Sequence, residues 1–147
     1  MRISVQDGAF DFAAQARAFA ADAAGMGAIV TFTGVVRDLD GGGLEAMEIE
    51  HYPGMTEKAI SAIAQEARTR WALGDVLVIH RHGRLVPGEQ IMMVATAARH
   101  RAAAFEAAEF LMDYLKSRAP FWKKETGTDG SRWVAARDED EDALARW

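Results

Sequence analysis

The residues best suited to chemistry in this sequence are basic side chains that lie at four separate places along the chain. Such side chains bind phosphates and carboxylates, and a lysine amine can also transfer protons or stabilise a developing negative charge. Any one of them is more often a solvated charge at the end of a helix or strand, so function depends on whether the fold brings them together. The four places are Arg37, His100–Arg101, Lys116 and Lys123–Lys124.

Other kinds of chemistry find little support in the sequence. The chain of 147 residues contains no cysteine, which excludes disulfides, cysteine nucleophiles, thiolate zinc sites and iron–sulfur clusters. His80 and His82 are two residues apart on a predicted strand, and no carboxylate stands at ligand spacing with them. The glycine run Gly41–Gly43 lacks the lysine and the spacing of a phosphate-binding loop. We therefore expect neither a metal ion nor a cofactor.

Charge and hydropathy narrow the class of protein further. The formal net charge of −5 argues against a nucleic-acid-binding protein, although it leaves room for a local cationic pocket. No apolar run approaches the roughly 18 residues that a membrane-spanning helix needs. The first residues lack the apolar segment of a signal peptide. We expect a soluble protein of the cytoplasm.

Two predicted elements position the basic groups. Apolar spacing from His100 to Lys116 predicts the longest helix of the chain, and its N-terminal amide groups favour an anion beside His100 and Arg101. Lys123 follows in an extended segment after Pro120, next to aromatic residues. Partial burial there would lower its pKa and suit the amine to proton transfer or to nucleophilic attack.

The length of the predicted helix separates two of the basic groups. Arg101 and Lys116 are fifteen residues apart on it. At about 1.5 Å per residue their backbones lie about 22 Å apart, which is too far for one small substrate to contact both within one subunit. If both residues serve one site, we expect that site to lie at a dimer interface, with Arg101 supplied by the neighbouring subunit.

The remaining patterns predict one α+β domain of residues 1–147 with mainly antiparallel strands and packed helices. β-branched residues predict a buried strand over 28–36, and alternation over 44–52 predicts a second strand paired with the first. Thr56 is expected to cap the next helix, and residues 138–147 are expected to form a C-terminal tail. The predicted order is helix 10–24, strand 28–36, strand 44–52, helix 57–71, strand 76–80, strand 91–97, helix 100–116 and strand 131–136.

Four longer stretches together resemble the molybdopterin synthase large-subunit family, whose motifs they match in the same order. The resemblance covers residues 27–137, and the last of the four stretches is the most specific. The stretches are GAIVTFTGVVR (27–37), EHYPGMT (50–56), IHRHGRL followed by Pro87–Gly88 (79–88), and FLMDYLK leading into RAPFWKKE (110–125).

The resemblance implies an α/β hammerhead-type fold and a sulfurtransferase of molybdenum cofactor biosynthesis. Such an enzyme converts cyclic pyranopterin monophosphate to molybdopterin, with sulfur from the C-terminal Gly-Gly thiocarboxylate of a small ubiquitin-like subunit. A homodimer of large subunits would bind one small subunit at each end and so form a heterotetramer. The absence of cysteine is consistent with sulfur that arrives on the partner.

The resemblance also assigns roles to individual residues by their position in the matched motifs. Two lysines take the catalytic roles. Arg37, His100 and Arg101 bind the pterin phosphate and the reacting carboxylate, Arg137 is a further candidate for the same pocket, and Lys124 and Glu125 border it. The catalytic candidates are Lys116 and Lys123, and the binding candidates are Arg37, His100, Arg101, Lys124, Glu125 and Arg137.

Two alternative functions use the same basic residues without catalysis. One is an anion- or nucleotide-binding module, and the other is an interaction scaffold for a ubiquitin-like partner. Substitution of the lysines separates the three, because an enzyme loses turnover in Lys123→Ala while it still binds its partner. A scaffold loses binding or shows no change.

Overall fold

The computed structural model describes residues 1–135 and 137–147, over which the chain forms eight strands and four helices. The predicted α+β class is confirmed. The helices are α1 (Phe12–Asp22), α2 (Met55–Arg70), α3 (Arg101–Ser117) and α4 (Asp138–Leu144). The strands are β1 (Arg2–Gln6), β2 (Ala28–Val35), β3 (Leu44–His51), β4 (Asp75–Arg81), β5 (Gly83–Leu85), β6 (Gln90–Ala98), β7 (Phe121–Gly127) and β8 (Gly130–Trp133).

The strands form two four-stranded sheets. The first sheet has the order β1-β4-β6-β2, and the second sheet has the order β5-β3-β7-β8. Strands β1 and β4 are parallel, whereas the other described pairs are antiparallel, as the sequence predicts. The chain passes from the first sheet to the second three times, between β2 and β3, between β4 and β5, and through α3 between β6 and β7.

The first sheet is covered by helices on both faces, which explains the continuous apolar run of β4. Val76 and Val78 point to the face that carries α2 and α3, where they pack with Phe110. Leu77 points to the opposite face and packs with Phe19 of α1. The long helix α3 is thereby fixed against the sheet along its whole length, so the positions of its two ends are set by the core.

Two local predictions are wrong. Strand β3 does not pair with β2, because the loop between them carries the chain into the second sheet, where β3 pairs with β5 and β7. The Asp38 carboxylate holds that loop by accepting hydrogen bonds from the Leu39 and Leu44 amides at 2.7 and 2.9 Å. Thr56 does not cap α2; it is buried, and its hydroxyl bonds to the Tyr52 backbone instead.

The actual N-cap of α2 is Gly54, whose φ of 84° lies in the left-handed region that favours glycine. The Glu57 carboxylate accepts a hydrogen bond from the Gly54 amide at 2.7 Å and so satisfies a donor at the helix start. The sequence signal for this cap is the glycine followed three residues later by a glutamate.

The structure also contains elements that the sequence patterns did not predict, namely β1, β5 and α4. Helix α4 occupies most of the predicted C-terminal tail, and the acidic residues of its first turn suit the positive end of a helix. The predicted strand over 131–136 is β8, which ends at Trp133; residue 136 lies outside the described residues. No helix in residues 1–135 or 137–147 is both long and apolar enough to cross a membrane.

Candidate active site

The turn between α3 and β7 brings the two predicted catalytic lysines to the same end of the molecule. Helix α3 ends where the Arg118 and Ala119 amides both donate to the Tyr114 carbonyl, at 2.7 and 3.3 Å. Pro120 prevents the helix from continuing, and the chain reverses into β7. Lys116 lies in the last turn of α3, and Lys123 is the third residue of β7.

Strand β7 presents alternate residues to opposite faces of the second sheet. Phe121, Lys123 and Glu125 share the inner face, where Lys123 lies opposite the buried Ile49 of β3. Lys124 belongs to the outer face, where its ammonium is 3.6 Å from a Glu48 carboxylate oxygen. The structure therefore brings Lys123 and Glu125 to one side of the strand and leaves Lys124 on the other.

The surroundings of Lys123 change its protonation. Burial, followed by repulsion from the Lys116 ammonium, lowers the pKa of the Lys123 amine from 10.5 to about 8. The Asp140 carboxylate of α4 acts in the opposite direction but does not cancel these effects. A sizeable fraction of Lys123 is therefore neutral at pH near 8, and a neutral amine can accept a proton. Lys116 is exposed on the adjoining helix end.

Two residues close to the lysines, His80 and Asp140, were not predicted from the sequence to belong to the site. His80 is the sixth residue of β4 and is 4% exposed. It forms part of the IHRHGRL stretch, but only the folded chain places its ring close enough to be influenced by the charges of Lys123 and Lys116. Asp140 lies in the acidic run, where nothing in the sequence distinguishes it from its neighbours.

Helix α4 packs along the C-terminal half of α3, near the lysines, and is held there by polar contacts. The Ser117 hydroxyl donates to the Asp140 carbonyl at 3.0 Å, and the guanidinium of Arg118 is 2.8 Å from Glu141. Beyond α4, the Trp147 indole donates to the Asp113 carboxylate at 2.7 Å and packs edge-on against Phe110. The C-terminal segment thus holds Asp140 close enough to act on the charge of Lys123.

Three of the predicted binding residues line a cleft of about 770 Å³ between the loop after β2 and the β7–β8 hairpin. Arg37 and Arg137 line the cleft although they are 100 residues apart in the sequence. Glu125 lines it from the inner face of β7. Arg132 and Trp133 also line the cleft, and no sequence pattern distinguishes them as binding residues. Glu125 lies two residues from Lys123 on the same face of β7, whereas the described lining of the cleft includes neither Lys116 nor Lys123.

His100 and Arg101 lie at the opposite end of α3. Both side chains are exposed, and within the described part of the chain neither has a hydrogen-bond or ion-pair partner. The close approach of the β2 start fixes this end, since a Cβ on Gly27 would lie 2.5 Å from the Arg99 carbonyl oxygen. Along α3 this end is about 22 Å from Lys116, so the structure does not bring it to the lysines within one chain.

The arrangement can bind and polarise an anionic substrate and can move protons through a lysine of lowered pKa. Within residues 1–135 and 137–147, no three histidine or carboxylate side chains are grouped so as to hold a metal ion. The chemistry that the arrangement supports is acid–base and electrostatic catalysis by two adjacent amines, completed by anion-binding groups.

Comparison with known proteins gives a consistent result. Residues 5–118 match the model of the family described as MoaE protein. The molybdopterin synthase catalytic subunit of Cereibacter sphaeroides is 72% identical over 147 residues, which are all of both chains. The molybdopterin biosynthesis MoaE protein of Burkholderia ambifaria is 55% identical with a TM-score of 0.84, over 99% of this chain and 96% of that one.

A more distant solved structure shares the fold. It is the protein–protein complex of subunits 1 and 2 of molybdopterin-converting factor from Helicobacter pylori. The matched chain is 20% identical with a TM-score of 0.79, and the match covers 92% of this chain and 91% of that one.

Proposed function

The chain belongs to the MoaE protein family, and from that premise we propose that it is the catalytic subunit of a molybdopterin synthase. In this role it transfers sulfur to cyclic pyranopterin monophosphate and yields molybdopterin for molybdenum cofactor biosynthesis. The sulfur arrives as the C-terminal thiocarboxylate of a small ubiquitin-like subunit. Residues 1–147 act as one domain, and the protein works in the cytoplasm.

The observation that carries the proposal is the lysine pair at the α3–β7 turn. Lys123 is held on the inner face of β7 with a pKa of about 8, next to the exposed ammonium of Lys116. A neutral Lys123 amine accepts a proton from the reacting groups, and the Lys116 charge stabilises the negative charge that develops on them. These are the roles that sulfur addition and hydrolysis of the spent thiocarboxylate require.

The anion-binding groups complete the site in this proposal. Arg37 and Arg137 bind the reacting carboxylate in the cleft, and Glu125 and Lys124 border it. The partner's glycine tail is narrow enough to enter this cleft and to reach Lys123 along the inner face of β7. Complex formation by the Helicobacter pylori protein of the same fold supports a small partner subunit.

His100 and Arg101 bind the pterin phosphate from a second copy of the chain. Support comes from the distance along α3 and from the exposed state of both side chains. The neighbouring edge strand β2 exposes 42% of Phe32, and α3 exposes 61% of Phe105. Exposed aromatic side chains beside an unpaired sheet edge are typical of a subunit interface. The assembly is then a homodimer with one small subunit at each end.

The reaction proceeds twice on each substrate molecule. The thiocarboxylate sulfur attacks an oxygen-bearing carbon of the pterin side chain. The carbon–oxygen bond at that carbon breaks, the oxygen leaves with a proton supplied by a lysine, and partner and substrate are joined as a thioester. Water then cleaves the acyl–sulfur bond, which leaves the sulfur on the pterin and releases the partner with a C-terminal carboxylate. A second loaded partner repeats the sequence at the adjacent carbon. Lys116 and Lys123 serve both steps by moving protons and by stabilising the oxyanion of the hydrolysis.

The test is conversion of the pterin precursor in vitro. The protein is mixed with a thiocarboxylated small subunit, and the oxidised dithiolene product is detected by fluorescence. We expect product from the wild-type protein and a loss of rate of about 10²–10⁴-fold in Lys123→Ala, the range that removal of a general acid–base group produces. Lys116→Ala is expected to fall in the same range.

Lys58→Ala is the matched control, because Lys58 is an exposed lysine on α2 that neither lines the cleft nor contributes to the shift of the Lys123 pKa. It is expected to keep full activity. Partner binding, measured by calorimetry, is expected to survive in Lys123→Ala. If the wild-type protein binds the partner but forms no product, the result would contradict the proposed enzymatic function and favour the interaction scaffold. Product formation that survives both lysine substitutions would remove the lysines from the mechanism.

A further inference from the structure

The aromatic pair His80–Phe121 lies near Lys123. Alternation along β4 places His80 on the same face as Val76 and Val78, which is the face covered by α2 and α3. Its ring is stacked on Phe121, with centroids 3.7 Å apart and an angle of 16° between the planes. Phe121 precedes Lys123 by two residues on β7 and therefore shares its inner face.

The hydrogen bonding of His80 fixes its proton. Nδ1 is 2.8 Å from the Arg81 carbonyl oxygen. Because a carbonyl oxygen only accepts, Nδ1 carries the hydrogen, and Nε2 keeps its lone pair in the neutral ring. Burial lowers the pKa of His80 to about 3; the bond to Arg81 opposes this, and the charges of Lys123, Lys116 and His51 add to it. His80 is therefore neutral at neutral pH and does not carry protons during turnover.

The groups that face Lys123 come from three other elements. Lys116 of α3 repels its charge, Asp140 of α4 attracts it, and His80 of β4 lies close by as a neutral ring. Burial has a larger effect on the Lys123 pKa than either charge. On the β4 side of Lys123, the described neighbours are the buried His80 ring and the Phe121 ring stacked on it.

We propose that His80 is a positioning residue for Lys123: its ring, stacked on Phe121 and tied to the Arg81 carbonyl, forms the wall that keeps water from the lysine amine. A histidine at position 80 has two properties that this position requires. Its flat ring stacks on Phe121, and its N–H satisfies a backbone carbonyl at the end of β4. The inference rests on the proposed function, because it takes Lys123 as a catalytic amine.

The test measures the protonation of Lys123 directly. The intact protein is labelled with trace acetic anhydride from about pH 6 to about pH 11, and acetylation of Lys123 is quantified by mass spectrometry with the exposed Lys58 as reference. His80→Ala opens the wall, and we expect the Lys123 pKa to rise by about one unit or more. His80→Phe restores an aromatic ring, and the Lys123 pKa is expected to stay within a few tenths of its wild-type value.

Turnover provides a second readout. A rise of one unit in the Lys123 pKa lowers the neutral fraction at pH 7 about tenfold. We therefore expect kcat of His80→Ala at pH 7 to fall about tenfold with little change in KM, and to recover as the pH is raised. A purely structural role would lower the amount of folded enzyme without moving the pH profile.

A second variant covers the case in which His80→Ala does not fold. His80→Gln has a similar length but no flat ring, and it is also expected to raise the Lys123 pKa. An unchanged Lys123 pKa in the folded Ala or Gln variant would overturn the proposal, and so would a raised pKa in His80→Phe. The labelling needs neither substrate nor partner, so its result stands apart from that of the synthase assay.

Discussion

The two ends of α3 carry basic residues but have opposite surroundings. At the C-terminal end, Lys116 lies beside a lysine whose pKa is lowered by burial, and α4, which bonds to Ser117, brings the Asp140 carboxylate close to that lysine. At the N-terminal end, His100 and Arg101 are exposed, and the described residues of their own chain offer them no partner. The core fixes both ends rigidly against the first sheet.

This difference indicates how the site is divided. The C-terminal end has the desolvated groups that proton transfer requires, and a single chain supplies them. The N-terminal end has charge and free helix amides but no enclosing wall, so it suits an anion that another surface covers. Within one chain the two ends are about 22 Å apart. In the proposed dimer, the N-terminal end of α3 from one chain would lie beside the lysines of the other chain, so that the two ends form complementary halves of one site.

Mixed dimers test this division most strongly. A dimer of one Lys123→Ala chain and one Arg101→Ala chain contains one site with both substitutions and one site with neither. We expect about half of the wild-type activity from such dimers, although each parent protein is nearly inactive at low substrate concentration. The dimers are isolated through two different affinity tags after coexpression and are assayed by product fluorescence.

The matched control pairs Lys123→Ala with Lys116→Ala. Both lysines belong to the same half-site, so each site of this mixed dimer lacks one of them and no activity returns. Two results would contradict a site shared between chains. One is recovered activity in the Lys123→Ala/Lys116→Ala dimer, and the other is no recovered activity in the Lys123→Ala/Arg101→Ala dimer.

Arg101→Ala tests the exposed half by itself. Loss of a charge-assisted pair to phosphate, which contributes about 1.5–3 kcal/mol, is expected to lower kcat/KM about 10- to 100-fold through a higher KM. The free energy of unfolding should change by less than about 0.5 kcal/mol, because the side chain is exposed. Arg17→Ala, at an exposed position on α1, is the control and should leave both quantities unchanged. An unchanged KM in Arg101→Ala would contradict the assignment.

Much of this arrangement could be predicted from the sequence because it depends on local periodicity. The apolar spacing of α3 placed Arg101 and Lys116 on one helix, and the proline after it placed Lys123 on an extended segment. Alternation alone also separates Lys123 from Lys124. Which of the two points inward depends on the register between β7 and β3, which no local pattern specifies.

The rest depends on contacts between distant parts of the chain. Strand β1 is short, with only Ile3 and Val5 facing the core, and it is stabilised by parallel pairing with β4, more than seventy residues later. The pairing of β2 with β3 was expected because neighbouring strands usually pair, but the loop at Asp38 carries the chain into another sheet. The wall formed by His80 and Phe121 joins residues of different sheets, so it was visible only in the fold.

The smallest expected effect concerns stability and distinguishes the buried half from the exposed half. Below pH 8, Lys123 is charged in both the folded and the unfolded chain, and the folded chain bears the cost of burying the charge. Lys123→Met removes this cost, and after allowance for partial exposure we expect the variant to be about 1–2 kcal/mol more stable than the wild type at pH 7. Urea unfolding measures the difference.

The pH dependence gives the sign of the effect. Between about pH 8 and 10.5 the folded wild-type chain has lost the Lys123 proton while the unfolded chain retains it. Because the unfolded state then binds more protons, wild-type stability rises with pH relative to Lys123→Met, and the advantage of the variant shrinks across this window. Lys58→Met, at an exposed position, should show neither the gain nor the trend. If the difference in the free energy of unfolding between Lys123→Met and the wild type is the same at pH 7 and pH 10, Lys123 is not desolvated. The two ends of α3 would then differ in their position but not in the protonation of their basic groups.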